Sequence, residues 1–378
     1  HLGTEAKSIN TWNSDLYNFQ PTAFEYNRNL PFFSLNYSGD NGFGTGTSVT
    51  FTKKEKFGNV DYSSKHKLSM DISTEKNNIF KYTSRYHHIV HKWDIQFRGL
   101  IANHNDFTNF FGIGNNSVKN DSLFTAKYYK TTYNSYSANI SFIRDFWKKS
   151  NFSVSSEIQH NVSQIGKNTI AFSSPEINSP ITFGTDDNTI FIAGAHLEVD
   201  FRDRKNLPEK GIRVYSDFKN GHILSNSTSN YTILSGGLEH YFTAHIPSPI
   251  TFGIKGGGSI SDGEIPFYNL AYLGNGNNLR GFKQNRFTGK STIFINTELR
   301  VQLVDFASTF IPMKFGVKGF YDSGRVFSGI DTSQKWHNGY GCGIYWVFLN
   351  ENYTFNASIA HSEEESNLFL FSIGKSFN

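Results

Sequence analysis

From residue 31 onward, the chain alternates apolar and polar side chains in a series of short segments. Between Thr292 and Val304, the odd positions are mostly isoleucine, leucine and valine, whereas the even positions include asparagine, glutamate, arginine and glutamine. Successive side chains of a β-strand point to opposite faces, so each segment has one apolar and one polar face. The pattern therefore predicts a sheet with one side suited to lipid and the other suited to water.

Sixteen segments follow this alternation, and the connections between them differ in length. Short connections fall at 90–91, 148–149, 247–249 and 350–352, and long ones at 103–129, 164–187, 262–290 and 324–337. Short periplasmic turns and long outer loops are typical of outer-membrane barrels, and an even strand number places both termini in the periplasm. We expect an all-β fold, a sixteen-stranded antiparallel transmembrane β-barrel over residues 31–378, after a periplasmic linker or N-terminal extension at 1–30. The predicted strands are 31–38, 43–53, 64–74, 78–89, 92–102, 130–147, 150–163, 188–203, 211–220, 230–243, 249–261, 291–305, 312–323, 338–349, 353–361 and 367–378.

The composition fits a barrel better than a soluble domain. Hydrophobic residues make up 37% of the chain and aromatic residues 16%, with 37 Phe and 19 Tyr. Aromatic side chains mark both membrane interfaces of such barrels, while the lumen stays polar. No run approaches 18 apolar residues, so a transmembrane helix is not expected. A single cysteine, Cys342, excludes an internal disulfide framework, and the diffuse net charge of +4 does not indicate nucleic-acid binding.

Three motifs carry a resemblance to a known family. They are Asp200-Phe-Arg-Asp203 followed by Pro208-Glu-Lys-Gly211, then Leu273-Gly-Asn-Gly-Asn-Asn-Leu-Arg-Gly-Phe282, then Phe320-Tyr-Asp-Ser-Gly-Arg-Val326. In this order the chain resembles the outer-membrane assembly-factor (Omp85) superfamily, over about residues 31–378. That group includes the BamA-type barrel-assembly insertase, two-partner secretion transporters and barrels fused to enzymes.

The resemblance implies that the loop carrying Arg280 folds back into the lumen, where the arginine meets acidic residues on the barrel wall. Strand periodicity supplies the partners, because Glu298 and Asp322 both lie on the polar faces of their strands. A guanidinium pairs with carboxylates bidentately, and burial strengthens such pairs. Gly281 permits a tight backbone, Phe282 packs on the wall, and Gly324 belongs to the third motif, on the strand that carries Asp322. The alternative is an extracellular turn with an incidental arginine.

The first motif is expected to form a structural periplasmic turn. Its residues are Asp200, Arg202, Asp203, Pro208 and Gly211. A metal site is the sharper alternative, but the mixed signs of the three charges argue against it.

The histidines His87, His88 and His91 invite a zinc interpretation. On a regular strand, His87 and His91 share a face but lie about 13 Å apart, at roughly 3.3 Å per residue. Zinc–nitrogen bonds are about 2 Å long, so one ion cannot join them. We therefore expect no metal and no cofactor, and interfacial or lumenal histidines instead.

The C-terminal segment resembles the signal that the barrel-assembly machinery reads. Its alternating side chains include Phe371, Ile373, Gly374 and Phe377, although Asn378 follows the last aromatic residue. The expected partners are therefore this machinery during biogenesis and outer-membrane lipids, including lipopolysaccharide.

Function follows from the resemblance. No nucleophile elbow, P-loop or dinucleotide fingerprint is present, so the chain is not expected to be an enzyme. Asn41-Gly-Phe-Gly-Thr-Gly46 and Asn109-Phe-Phe-Gly-Ile-Gly-Asn115 resemble Bacteroidota barrels fused to an upstream metallophosphoesterase. The chain begins without a signal peptide, so we expect a processed or truncated N-terminus.

The leading hypothesis is an assembly or translocation barrel, the C-terminal membrane domain of a longer protein, which anchors or translocates an upstream enzyme domain or client. The alternatives are an insertase lacking its periplasmic repeats and a passive porin.

Overall fold

Sixteen antiparallel strands form one continuous sheet in the computed structural model, and consecutive long strands are always neighbours. The structure describes residues 27–38, 42–54, 62–74, 78–147, 149–165, 168–173, 182–225, 229–274, 278–306, 312–329, 333–348 and 350–373. The Cα atoms of the first and last strands approach within 8 Å, so the sheet curls until its two edges meet as a barrel. Within the described residues, no helix is long and apolar enough to cross a membrane.

All sixteen predicted strands are present in the predicted order, and four short strands lie in the long loops. In chain order the strands are β1 (Arg28–Ser38), β2 (Gly42–Lys53), β3 (Ser64–Ser73), β4 (Asn78–Val90), β5 (Trp93–Asn109), β6 (Lys130–Phe146), β7 (Ser150–Ser163), β8 (Thr182–Phe183), β9 (Asn188–Asp200), β10 (Gly211–Ile223), β11 (Asn230–His245), β12 (Pro249–Gly263), β13 (Ile265–Pro266), β14 (Ala271–Leu273), β15 (Phe287–Gly289), β16 (Ser291–Phe306), β17 (Met313–Phe327), β18 (His337–Phe348), β19 (Asn350–Ser362) and β20 (Leu368–Ile373). Among the described residues, α1 (Asp121–Thr125) and α2 (Ile170–Ser173) are α-helices, and Phe267–Asn269 form one turn of 3-10 helix.

Several strand ends differ from the prediction. β1 begins at Arg28 rather than at residue 31, because Arg28 and Asn29 pair through their backbones with Thr52 and Phe51 of β2. Backbone pairing does not depend on apolar side chains, so alternation missed it. The boundary predicted at residue 30 therefore lies inside a strand, and residues 1–26 of the predicted linker lie outside the described residues. Asn350 belongs to β19 rather than to a turn.

The two faces of the sheet differ as the alternation predicts. On β16, Ile293, Ile295 and Leu299 are exposed on the outer face, while Glu298 and Arg300 are buried in the lumen. The regular alternation of β16 ends at a bulge between Gln302 and Val304, after which outer and inner positions exchange. Two adjacent apolar residues, at 303 and 304, are the only sequence sign of this bulge.

The long loops lie at one end of the barrel, and they pack on each other there. Phe110 of the β5–β6 connection contacts Phe267 of the β12–β16 connection, with ring centroids 5.2 Å apart. The ring of Tyr268 lies tilted against that of Tyr133, with centroids 4.9 Å apart, and both rings are buried. Together with the segment that carries Arg280, these loops place apolar groups inside the polar tube.

Candidate functional site

Arg280 lies inside the barrel lumen and contacts both acidic residues that strand parity assigns to it. Its Nε and Nη2 atoms donate to the two carboxylate oxygens of Asp322 at 2.8 and 2.7 Å. Its Nη1 atom donates to Glu298 at 2.8 Å, and its backbone N–H donates to Asp322 at 2.9 Å. The bidentate pair fixes both the position and the plane of the guanidinium.

This ion cluster is almost completely removed from solvent. The side chains of Arg280, Glu298 and Asp322 are 1%, 2% and 0% exposed. The guanidinium also lies over the ring of Phe320, 3.8 Å from its centroid, which adds a cation–π contact. Burial alone lowers the pKa of Arg280, but its bonds to Asp322 and Glu298 outweigh burial and raise it. The arginine is therefore a permanent cation.

Two further cations surround the same carboxylates. Arg300 of β16 has its Nε atom 3.7 Å from Glu298, and Lys318 of β17 donates to Asn356 at 3.3 Å. Both side chains are buried in the lumen. Lys318 shares the polar face of β17 with Asp322, four residues further on, and Arg300 shares that of β16 with Glu298. The sequence did not single out the role of Arg300, although its even position on β16 was the available signal.

Backbone geometry lets the loop approach the wall closely. Gly281 has φ +92°, and a Cβ atom there would lie 2.5 Å from the carbonyl oxygen of His361. At Gly339 of β18, a Cβ atom would lie 1.7 Å from the carbonyl oxygen of Arg280. At Gly324, in the motif on β17, a Cβ atom would lie 3.1 Å from the carbonyl oxygen of Ile293 and 3.1 Å from Cδ1 of Leu273. Gly339 was not found from the sequence, because local periodicity does not show which strand faces the loop.

Aromatic packing holds the loop beyond the arginine. Phe282 is 1% exposed and lies edge-on to Phe287, with ring centroids 5.3 Å apart. Phe287 stacks on His337 of β18 at 3.6 Å. Asn296 of β16 donates from its side chain to the carbonyl of Asn278 at 2.9 Å. The loop is thus bound to β16, β17 and β18 at several points.

A second buried arginine joins the loops at the same end of the barrel. Arg286 donates to both carboxylate oxygens of Glu364 at 2.6 and 2.7 Å, and to Ser117 of the β5–β6 connection. Its guanidinium lies 5.0 Å from the ring centroid of Phe111. Three separate loops therefore meet at Arg286, which the sequence did not single out.

The first motif forms a compact turn between β9 and β10. Arg202 donates bidentately to Asp200 at 2.8 and 2.9 Å, and to Glu239 at 2.9 Å. A carboxylate oxygen of Asp203 accepts two backbone N–H groups, at 3.0 and 3.2 Å, which closes the turn. Gly211 has φ +110°, and a Cβ atom there would lie 2.4 Å from the carbonyl of Phe201.

The same turn reaches across the lumen to the far wall. Leu207 is 6% exposed and packs with Tyr345 and Val347 of β18. The carbonyl of Pro208 accepts a hydrogen bond from Arg300. Because Arg300 also lies beside Glu298, the turn and the Arg280 cluster belong to one connected network. Contact between chain-distant segments of this kind was not foreseen from the sequence.

The C-terminal signal is only partly described. Phe371 is 50% exposed on β20, and Ile373 pairs with Phe355 of β19. Gly374 and Phe377 lie outside the described residues.

The histidines on β4 do not follow regular strand spacing. His88 has φ +51°, and the β4–β5 register shifts between Tyr86 and Val90. As a result, the adjacent rings of His87 and His88 stack with centroids 4.1 Å apart, next to Asp94. The distance between His87 and His91 on a regular strand therefore says nothing about this group of His87, His88 and Asp94.

Comparisons with known proteins agree with the geometry. A family model described as the Omp85 superfamily domain matches residues 33–377. The fold resembles BamA from Haemophilus ducreyi lacking POTRA domains 1–3, with a TM-score of 0.68 and 13% identity over 93% of this chain and 70% of that chain. It also resembles CdiB from Acinetobacter baumannii, with a TM-score of 0.53 and 12% identity over 92% of this chain and 59% of that chain. CdiB from Escherichia coli is similar with a TM-score of 0.53 and 9% identity over 91% of this chain and 61% of that chain. A search of curated proteins found no match. The chain spans less than two thirds of either CdiB chain.

Proposed function

Because the chain belongs to the Omp85 superfamily, an outer-membrane barrel group, we propose that it anchors or translocates a polypeptide and is not an open diffusion pore. The observation that carries this proposal is the loop segment around Arg280, which lies inside the lumen, is hydrogen-bonded to β16 and β17, and packs through Phe287 on His337 of β18. A passive pore needs a clear water path. Here a buried ion cluster, a set of aromatic rings and the β9–β10 turn occupy the lumen.

The ion cluster of Arg280, Glu298 and Asp322 suits a loop that is held in one position but can be released. A loop attached only through apolar packing would slide, whereas the bidentate bond to Asp322 has one optimal geometry. Moving the loop away would leave two carboxylates in the lumen, and water entering with an exported chain can hydrate them. The closed arrangement is therefore stable when the barrel is idle, and opening requires a substrate that replaces the loop.

The cargo in this proposal is a domain that precedes His1 in the full-length product. The BamA and CdiB chains continue beyond the matched region, since they are covered to 70% and 59%. The motifs at 41–46 and 109–115, which resemble metallophosphoesterase-fused barrels, make a metallophosphoesterase our proposed upstream domain. In this arrangement the barrel is the membrane part, both termini are periplasmic, and hydrolysis of phosphate or ester substrates belongs to residues before His1.

The test is the cellular location of the segment that precedes His1. The full-length product would carry an epitope before His1, and intact cells would be treated with protease. Translocation predicts cleavage of the epitope in intact cells, whereas anchoring predicts cleavage only after the outer membrane is opened. Either result supports the proposal, provided that removing the barrel releases the segment from the membrane. A segment that stays membrane-bound without residues 31–378 would contradict it.

An insertase is the second candidate, because BamA shares the fold. The expected partners of an insertase are unfolded precursors of other outer-membrane barrels. Liposomes containing the purified chain would then speed the folding of an unfolded outer-membrane protein relative to empty liposomes. Equal folding rates in the two preparations would leave the anchoring or translocation proposal preferred.

A further inference from the structure

Beside the two-residue turn between β4 and β5, three potential metal ligands come together. One donor atom from each of His87, His88 and Asp94 lies within 4.8 Å of the others. Neighbouring residues on a regular strand point to opposite faces, so two consecutive histidines rarely share a ligand. Here the left-handed backbone of His88, at φ +51°, turns its ring onto that of His87. A non-glycine residue in this conformation costs energy, which marks the position as one for which a functional reason should be sought.

The donor set has the composition of a transition-metal site. Two imidazoles and one carboxylate suit Zn²⁺ and related divalent ions, in contrast to the all-oxygen sites of Ca²⁺ and Mg²⁺. Tetrahedral zinc needs donors roughly 3.3 Å apart, given bonds near 2.0–2.1 Å. Side-chain rotations of His87 and His88 can close the remaining distance, because His88 is exposed. An exposed His88 also leaves room for water as a fourth ligand.

The carboxylate of Asp94 is buried and held in an orientation that allows it to bind a cation. Asp94 is 2% exposed, and one of its oxygens accepts from His87 Nδ1 at 2.7 Å. Its other oxygen accepts the backbone N–H of His88 at 3.0 Å, which fixes its orientation toward the two rings. A backbone hydrogen bond to a ligating carboxylate fixes the direction in which its free electron pairs point.

One cation already competes for this carboxylate. Arg85 Nε lies 2.6 Å from Asp94, while its Nη2 atom lies 2.6 Å from Asp145. Since Asp145 is a second acceptor, the guanidinium can keep an ionic partner when a metal takes Asp94. Arg85 should therefore weaken metal binding without preventing it.

We propose that His87, His88 and Asp94 form a binding site for one divalent transition-metal ion, with Zn²⁺ as the probe ion. The bound ion would cross-link the end of β4 to the start of β5. The expectation of no zinc, which was based on the spacing of His87 and His91, does not apply to this bulged arrangement.

The test is calorimetric titration of the tag-free, chelator-treated chain in detergent with zinc chloride. One ion should bind, and His88→Asn should weaken binding by at least about tenfold. Asparagine tolerates the left-handed backbone, so this variant removes the ring with little strain. His91→Asn is the matched control, since His91 is also exposed and left-handed, at φ +55°, and it should bind as the parent does.

Two more results decide the assignment. Arg85→Gln should tighten binding, because it removes the competing cation from Asp94. Cobalt(II) should give a visible absorption band that is lost in His88→Asn and kept in His91→Asn. Unchanged zinc affinity in the double variant His87→Gln, His88→Asn, or equal losses in His88→Asn and His91→Asn, would overturn the proposal.

Discussion

Replacing Arg280 with alanine should destabilise the barrel substantially. The variant loses three side-chain bonds of 2.7–2.8 Å and leaves Glu298 and Asp322 buried, at 2% and 0% exposure. Bonds to charged groups contribute about 1.5–3 kcal/mol each, but losses in one network do not add. Removing one partner of a buried ion pair costs about 3–5 kcal/mol, because the remaining charge is uncompensated. We expect a loss in that range.

The assay is denaturant unfolding in detergent, followed by tryptophan fluorescence and by mobility on semi-native gels. Arg280→Lys keeps the charge but loses the bidentate geometry, so its loss should be intermediate. The double variant Arg280→Met, Asp322→Asn should recover part of the stability, since it removes both charges of the bidentate pair and keeps Glu298 beside the buried cations Arg300 and Lys318. An unchanged unfolding midpoint for Arg280→Ala would refute the reasoning, and a double variant no more stable than the single one would refute the electrostatic cause.

Three further predictions concern the wall, the loop contact and the turn. Leu299→Arg on the outer face should cost about 2–4 kcal/mol near the membrane midplane, whereas Gln302→Arg should cost far less, and equal losses in unfolding would mean that the faces are misassigned. Gly339→Ala should displace the loop, because its methyl group would overlap the carbonyl of Arg280, whereas Gly99→Ala should be silent because nothing lies within 4 Å of the new carbon. Unchanged protease resistance of the loop in the Gly339 variant would count against this contact. Leu207→Ala should destabilise the barrel by about 2–5 kcal/mol through a cavity in the lumen, and a loss below about 0.5 kcal/mol would show that the turn is not packed there.

Alternation made much of the fold predictable, because each transmembrane strand must separate a lipid face from a wet face. The same parity assigns Glu298 and Asp322 to the lumen independently of their contacts with Arg280. Odd or even position assigns side chains to faces only within one regular strand, however, and the assignment fails where a bulge changes the register. That is why the left-handed turn at His88 escaped the spacing argument.

The contacts that close the lumen depend on which chain-distant segments meet. Gly339 opposes Arg280 only because β18 lies next to β17 in the closed sheet, and Leu207 meets β18 only because its turn crosses the barrel. Neither contact can be predicted from the alternation of apolar and polar residues in the segments concerned. The resemblance predicted the inward loop and parity predicted its acidic partners, whereas the contacts of Gly339 and Leu207 are visible only in the structure.

The most direct test of the central claim is single-channel conductance in planar bilayers. The parent chain should conduct little, because the loop around Arg280 fills the lumen. Arg280→Ala should give larger and more frequent openings, whereas Arg325→Ala should match the parent, since Arg325 lies at the outer end of β17 and bonds to the carbonyl of Ser333. Large, steady conductance in the parent chain, or identical traces for the parent and Arg280→Ala, would contradict the account.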